Sequence, residues 1–370
     1  SSLLLSKLIN NNNILHLSKM RYYYILQFVF LLGLANALQA QDTHFSQNFA
    51  NPIFLNPGIT GIINGDTRVV GIYRSQWGSL VPENPFKTYL VSADMAFAGA
   101  GRRDRFGLGL MAYKDGGGAV NFATHYIDAS FSYILALNDN SYLGAGFAGG
   151  MTQRGFDINN AQFDDQYIDG SVSTNPSADV GNLATSLWRA NLGAGLLYYT
   201  SPSARSNFFT GIAMHHITSP NSSFTELNIN DEDKVHQKIS AQIGGNLPIG
   251  NHLDLAPSAW FVKQGPHQKI DIGTFFRYIF DSDTKYGLER SVSIGPWVRL
   301  GNHISGFGMN DLVIAGKITY DNLGVGLSYD INLANELKIA NGGRGGFEIS
   351  LSYTGLLRPS HRDSYSCPNF

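Results

Sequence analysis

Residues 347–353 have the sequence FEISLSY, and this stretch decides the fold class. Its odd-numbered positions are apolar or aromatic, and its even-numbered positions are acidic or small and polar. Alternation with a period of two predicts a β-strand with two unlike faces. The same pattern recurs at 89–95 and 324–329. Strands of this kind suit a transmembrane barrel, whose outer face meets lipid and whose inner face meets water or packed polar groups.

The composition excludes several other classes of protein. Charged residues make up 15% of the 370 residues, against about 25% in an average soluble protein. The 12% of aromatic residues argues against a disordered chain, and the mean hydropathy of −0.09 argues against a helical membrane protein. A single Cys excludes a disulfide scaffold and a thiolate zinc site. The formal net charge of −2 gives no reason to expect a nucleic-acid partner.

Residues 1–40 are predicted to lie outside the folded domain. Residues 1–19 precede the first Met and are interpreted as an upstream extension or a misassigned start. Residues 20–40 combine a basic start, an apolar core and small residues, which is typical of a secretory signal peptide. Cleavage is expected after Ala40, with cleavage after Ala37 or an uncleaved membrane anchor as the alternatives.

Segments with period-two alternation cover the remaining chain and predict an all-β fold. We expect a transmembrane antiparallel β-barrel of about 14 strands over residues 67–354, with long extracellular loops. Most segments approach the roughly 9–11 residues that a tilted strand needs to cross a bilayer. The predicted strands are 67–73, 87–97, 106–113, 122–136, 141–154, 188–200, 207–216, 235–246, 252–263, 269–280, 290–300, 310–320, 323–330 and 345–354.

The connections between these strands alternate in length. Even-numbered strands are followed mostly by short links such as 137–140, and odd-numbered strands mostly by longer links such as 155–186. Short periplasmic turns and long external loops are typical of outer-membrane barrels. Residues 41–66 are therefore predicted to be a periplasmic segment or plug, and residues 355–370 a periplasmic tail. A soluble β-sandwich or propeller is the alternative, although no propeller repeat of about 40–50 residues is visible.

Several short motifs give a more specific interpretation. In chain order they are FSQ at 45–47, LNP at 55–57, YxxQW at 73–77, QFDDQY at 162–167, SYD at 328–330 and CPNF at 367–370. This ordered set resembles the PorP/SprF family of the type IX secretion system in Bacteroidota. The resemblance covers the whole mature chain, with two departures: Gly58 stands where Ala is usual, and Asn369 stands where Arg is usual.

The resemblance implies a function that the alternation alone does not. Family members are outer-membrane barrels similar to FadL, and they are not known as enzymes. They support type IX secretion and the surface anchoring of a cargo protein, such as an adhesin, whose C-terminal domain marks it for export. Gliding motility is one process that they serve. The implied partners are this cargo, periplasmic or outer-membrane secretion components and membrane lipids, and no cofactor is implied.

A FadL-like channel for hydrophobic small molecules is the alternative function. It predicts an apolar pocket in the lumen with an exit. The inner-face residues that the alternation identifies are polar, as at Asp94 and Glu348. Lumen-facing polar and charged groups favour a network around a plug over a channel for apolar molecules.

No catalytic or metal site is predicted, because no nucleophile and base can be paired from their spacing. Candidate partner contacts are placed on the family motifs instead. They are Phe45, Ser46, Gln47, Asn56, Pro57, Gln76, Trp77, Phe163, Asp164, Asp165, Tyr167, Cys367, Pro368 and Phe370.

Two features of the sequence are compatible with more than one interpretation. The Asn- and Pro-rich segment 51–58 is predicted to plug the lumen, to hold a periplasmic partner or to seal the barrel floor as an ordered turn. Tryptophans are interpreted either as members of the aromatic girdles at the lipid–water interfaces or as ordinary packing. They are Trp77, Trp188, Trp260 and Trp297.

Overall fold

The structure is a computed structural model. It describes residues 42–78, 82–98, 103–168, 171–173, 175, 177, 184–203, 205–224, 234–283, 288–303, 306–335, 338–339 and 342–355. The predicted extension at 1–19, the predicted signal peptide at 20–40 and the tail with Cys367, Pro368 and Phe370 lie outside these residues.

Fourteen strands of the described chain form a closed antiparallel barrel, which confirms the predicted fold class. Consecutive barrel strands pair with each other, and β1 pairs with both β2 and β16 to close the wall. The barrel strands are β1 (Thr67–Gln76), β2 (Phe86–Ala98), β3 (Arg105–Gly117), β4 (Phe122–Ala136), β5 (Ser141–Gly155), β8 (Ser186–Ser203), β9 (Ser206–His215), β10 (Lys238–Pro248), β11 (Leu253–Gln264), β12 (His267–Asp283), β13 (Leu288–His303), β14 (Gly306–Asp321), β15 (Leu323–Asn332) and β16 (Arg344–Gly355). A separate short hairpin consists of β6 (Tyr167–Ile168) and β7 (Ser171–Val172).

The links have unequal lengths at the two ends of the barrel. The end where β1 begins and β16 finishes carries links such as 137–140 and 249–252, and we call it the short-link end. The opposite, long-link end carries 156–185, which includes the β6–β7 hairpin, and 216–237. This asymmetry agrees with the prediction only in part, because short links also occur at the long-link end. For example, the two residues 265–266 join β11 to β12.

Alternate residues of the wall face opposite sides, as the sequence pattern predicts. On β3, Leu110 is 64% exposed on the outside, whereas the neighbouring Met111 is buried inside. On β5, Phe147 is 68% exposed, whereas Ala148 is buried. Such an apolar outer face is what a barrel presents to lipid. No helix within the described ranges is long and apolar enough to cross a membrane.

Residues 43–66, which we call the lumen segment, fill the interior of the barrel. They form no barrel strand but make two short 3-10 turns, Pro52–Phe54 and Pro57–Ile59. Each turn begins with a proline, whose fixed φ suits a first helical position and whose missing N–H needs no partner there. Asn56 caps the second turn by accepting a hydrogen bond from the Gly58 N–H at 2.8 Å.

Apolar side chains of the lumen segment pack against the wall in two clusters. In the larger one, the Phe49 ring lies 4.8 Å from the Phe275 ring, and Trp260 stacks on Trp297 at 4.8 Å. The smaller cluster consists of Ile59, Ile62, Ile134, Tyr142, Leu197, Tyr199 and Phe209. The interpretation of Trp260 and Trp297 as girdle residues is therefore wrong, because both face the aromatic side chains of the lumen segment.

Glycines in the wall leave room for the backbone of the lumen segment. A Cβ atom at Gly146 would clash with the carbonyl group of Pro57, and one at Gly195 would clash with the Asn56 side chain. The space at Gly195 lets Asn56 Nδ2 donate to the carbonyl oxygen of Leu196 at 2.9 Å. The Asn-Pro motif thus fits against the wall only where the wall lacks side chains.

We expect Gly146→Ala to lower the free energy of unfolding by about 1–3 kcal/mol, because the added methyl group overpacks the contact with Pro57. Thermal unfolding in detergent micelles measures the loss. Gly316→Ala is the matched control, since its Cβ would lie 3.7 Å from the nearest neighbouring atom, the carbonyl oxygen of Ser293. Equal losses in the two variants would contradict a close fit between the lumen segment and the wall.

Candidate functional site

Charged side chains from six strands converge inside the barrel near its long-link end. We call this group the charge cluster; it consists of Arg74, Lys269, Asp271, Arg299, Asp311, Asp330 and Glu348. They share the interior because each occupies an inward-facing position of its strand. Burying so many charges is unfavourable unless each one is paired and hydrogen-bonded.

The two arginines of the charge cluster connect its carboxylates. Arg299 donates from Nε to Asp271 at 2.9 Å, and from Nη1 to Asp311 at 3.1 Å and Asp330 at 3.3 Å. Arg74 pairs with Asp330 at 2.9 Å and also with Glu348. Asp330 therefore bridges two guanidinium groups that would otherwise repel each other.

Ser46 of the lumen segment lies at the centre of this network. Its Oγ donates to Asp330 at 2.7 Å and accepts from Arg74 at 2.8 Å and from Arg299 at 2.9 Å. One hydroxyl group thus contacts both arginines and the carboxylate between them. A hydroxyl can do this because it has one donor and two acceptor sites.

At the start of the lumen segment, one carboxylate of the wall holds the backbone. Glu348 is fully buried and accepts from the N–H groups of Ser46 at 2.6 Å and Gln47 at 2.9 Å. The Gln47 side chain donates to the Glu348 carbonyl oxygen at 3.1 Å and accepts from Ser350 at 2.6 Å. Asn48 extends the contact by donating to Asp271 at 2.9 Å. These bonds fix the start of the lumen segment to β12 and β16.

The other end of the lumen segment is fixed near the short-link end. Thr60 Oγ1 donates to Ser130 Oγ at 2.9 Å, and the Gly61 N–H donates to Asp94 at 2.9 Å. Asp94 in turn accepts two hydrogen bonds from Arg68, at 2.8 and 2.9 Å. The lumen segment therefore runs along the interior from the charge cluster down to the start of β1.

No group of His, Cys, Asp and Glu side chains in the described part of the chain has an arrangement that could hold a metal ion. His215 instead contacts the lumen segment, because its Nε2 lies 3.1 Å from the carbonyl oxygen of Leu55. Ser240 donates to the same carbonyl oxygen at 2.6 Å. What the site does chemically is bind a segment of its own chain.

Comparison with known proteins assigns the chain to a family. The model of the type IX secretion system membrane protein PorP/SprF matches residues 37–353. The chain belongs to the PorP/SprF family. No curated protein matches it in sequence.

Several solved structures are similar to this PorP/SprF chain at low sequence identity. The toluene transporter TbuX of Ralstonia pickettii has 11% identity and a TM-score of 0.45, with 82% of this chain and 93% of that chain covered. The P. putida toluene transporter TodX has 9% identity, a TM-score of 0.44 and coverage of 82% and 93%. A Pseudomonas aeruginosa FadL homologue has 11% identity, a TM-score of 0.40 and coverage of 78% and 89%. Likeness at this level carries no conclusion about function.

The structure separates the candidate contact residues into two groups. Those in the interior or beside it are Phe45, Ser46, Gln47, Asn56, Pro57 and Gln76. Of these, Phe45 packs edge-on against Phe54 at 5.2 Å, and Gln76 accepts from Arg74 at 3.0 Å. The residues Phe163, Asp164, Asp165 and Tyr167 lie in the 156–185 link at the long-link end. Whether either group contacts a partner stays a prediction.

Trp77 follows β1 directly and has a positive φ of 57°. Its ring packs edge-on against Phe86 at 5.6 Å, so it joins the ends of β1 and β2.

The sequence motifs missed most of the charge cluster. Lys269, Asp271, Arg299 and Asp311 belong to no family motif quoted above, whereas Asp330 and Arg74 lie within SYD and YxxQW. A usable signal was present, because each charge occupies an inward position of an alternating strand. Charged residues at inward positions of adjacent strands would have marked the cluster before its pairings were known.

We expect Glu348→Ala to lower the free energy of unfolding by about 3–5 kcal/mol, because it breaks a buried ion pair and leaves Arg74 with Asp330 as its remaining carboxylate partner. It also removes the acceptor for two N–H groups of the lumen segment. Denaturant unfolding followed by tryptophan fluorescence measures the change. Asp281→Ala is the control, since its pairing with Arg290 at 3.9 Å is exposed and screened by solvent. A loss for Glu348→Ala no larger than that of the control would contradict the assigned role.

We expect the stability to fall at acidic pH through His44, which precedes the charge cluster in the chain. Burial, helped by the positive charges of Lys269, Arg299 and Arg74, lowers the pKa of His44 well below the ordinary 6.5. Below pH 6.5 the unfolded chain therefore binds a proton that the folded chain refuses, so this contribution is complete above pH 6.5 and declines below it. Unfolding measured across this range should depend less on pH in His44→Gln than in the wild type. Identical pH profiles would refute the contribution.

Proposed function

We propose that the protein is an integral, non-enzymatic outer-membrane barrel that supports type IX secretion and anchors a secreted cargo protein at the cell surface. Membership of the PorP/SprF family supports the role in secretion. The lumen segment favours a role in anchoring over a role as a channel, because it occupies the interior with residues of the same chain. Gliding motility is a process in which such an anchored adhesin would serve.

The filled lumen disfavours a channel for hydrophobic small molecules. Passage would require the lumen segment to leave the wall. It would then break its bonds to Glu348 and Asp330, and it would expose side chains such as Phe49 and Trp297. A channel would therefore need a large rearrangement, whereas an anchor works with the interior as it is.

The surface that we propose for cargo contact is the β6–β7 hairpin in the link between β5 and β8. Its side chains Tyr167 and Ile168 are 64% and 54% exposed, and Val172 is also exposed. Large apolar side chains exposed together on a loop are typical of protein interaction sites. Asp164 and Asp165 precede the hairpin and are exposed, so a partner with basic and apolar residues would fit. We assign the long-link end to the outside, since external loops are the longer ones in such barrels.

The proposal is tested in cells that carry the gene deletion, the wild-type gene or a hairpin variant, Tyr167→Ser with Ile168→Ser. We expect the deletion to remove one or a few proteins with a type IX C-terminal domain from the surface proteome. The hairpin variant should reduce the same proteins severalfold at an unchanged level of folded barrel, because it removes the apolar contact. The control pair Asn159→Ser and Asn160→Ser changes polar residues of the same link.

A surface proteome that is unchanged by the deletion would refute the secretion role. An unchanged surface proteome in the hairpin variant alone would refute only the contact site. Loss of uptake of a hydrophobic small molecule, with every surface protein retained, would favour the channel.

A further inference from the structure

Arg189 is a buried arginine that has no counter-charge among the described residues. It occupies an inward position of β8, close to the start of that strand at the long-link end. It is 8% exposed, and its Nη1 and Nη2 atoms form no hydrogen bond with any described residue. Arg74 and Arg299, across the lumen, are each paired with at least two carboxylates. Arg189 is therefore not explained by the network that holds the lumen segment.

A second arginine lies beside Arg189 on the neighbouring strand. Thr152 of β5 faces Arg189 in the strand register, and Arg154 is the next inward residue of β5. Diagonal neighbours on one face of a sheet are about 7–8 Å apart, which long side chains can span. Arg154 is held over the Phe122 ring at 5.2 Å, and its positive charge acts on Arg189. Arg154 therefore supplies no counter-charge to Arg189.

The carboxylate of Asp128, two strands away on β4, does not neutralise Arg189. Asp128 of β4 accepts instead from the Tyr126 hydroxyl at 2.5 Å. Tyr126 also accepts from Asn191 at 2.9 Å, so that these three side chains form a network of their own. An unpaired buried charge is unfavourable, and a native protein retains one where a ligand or a bound water supplies the missing partner.

We propose that Arg189, with Arg154 beside it, binds a carboxylate group of a polypeptide that enters from the long-link end. The guanidinium fork offers two parallel N–H donors, which match the two oxygens of a carboxylate. The inward position of Arg189 keeps it from the lipid-facing side of the wall, which argues against a lipid phosphate. An acidic side chain or a C-terminal carboxylate has the required chemistry. Only the identity of the polypeptide rests on the proposed cargo role.

The test uses the purified full-length protein in detergent at low salt. The probes are a fluorescent peptide rich in Glu, the same peptide with Gln in place of each Glu, and inorganic phosphate. We expect the Glu peptide to bind and the Gln peptide not to bind. Arg189→Gln should weaken binding about tenfold or more, as the loss of a charge-assisted pair does. Arg290→Gln at the short-link end, where Arg290 pairs with Asp321 at 3.1 Å, should leave it unchanged.

Thermal unfolding without peptide separates a ligand site from a structural role. We expect Arg189→Gln to raise the unfolding midpoint, because it removes an unpaired buried charge, whereas a structural arginine would lower the midpoint when replaced. A lower midpoint together with unchanged peptide binding would overturn the proposal. Equal binding of the Glu and Gln peptides would also overturn it, as would binding of phosphate through Arg189 without binding of the peptide. These outcomes are independent of whether cargo secretion depends on the protein.

Discussion

The interior of this barrel depends on the buried carboxylate of Glu348 and the groups that it binds. It neutralises Arg74 and at the same time accepts two N–H groups from Ser46 and Gln47. Inward charges destabilise the wall unless they are paired and hydrogen-bonded, because an unpaired buried ion is strongly unfavourable. The lumen segment supplies some of these hydrogen bonds, so the wall and the segment stabilise each other.

The positions of glycine in the wall also show that the wall and the lumen segment fit each other. Gly146 and Gly195 stand where the backbone and side chain of the Asn-Pro motif approach the wall, and a Cβ atom at either position would collide with it. A barrel with an open lumen would not require glycine at these two positions. Some of the 41 glycines of the chain thus mark the places where the lumen segment approaches the wall.

Local alternation was enough to predict the strands, because each strand has one lipid-facing and one inward face. The interior could not be predicted in the same way. Two prolines and two asparagines in 51–58 are equally compatible with a turn and with a plug. The partners of Ser46 lie 284 and 302 residues away in the chain, so that only the closed register of the barrel brings them together.

Trp260 and Trp297 illustrate the same limit. Tryptophan suits both a lipid–water interface and a packed interior, and the alternation around these residues did not decide between the two. In the structure Trp297 stacks on Phe49 of the lumen segment, a partner that the strand sequences do not reveal, and Trp260 stacks on Trp297. The motifs therefore marked only part of the candidate site, and its geometry came from contacts between distant parts of the chain.

A closed interior and an elaborated long-link end fit a protein that works through its surface. The charge cluster holds the lumen segment in place, and the links outside the barrel are free to present side chains such as Tyr167. A fixed interior combined with exposed links is consistent with the PorP/SprF family, whose members belong to a secretion system. A barrel that works in this way does not need an open pore.

An engineered disulfide between the lumen segment and the wall tests whether the segment lies inside the barrel. Thr60→Cys and Ser130→Cys, introduced together with Cys367→Ser, would replace two side chains whose oxygens lie 2.9 Å apart. We expect most molecules in isolated outer membranes to contain this cross-link, detected as a linked peptide pair by mass spectrometry. Thr60→Cys with Ser350→Cys should give none, because Ser350 contacts Gln47 at the other end of the segment. Absence of the first cross-link under oxidising conditions, in a barrel that is folded, would contradict the central claim that residues 43–66 fill the lumen.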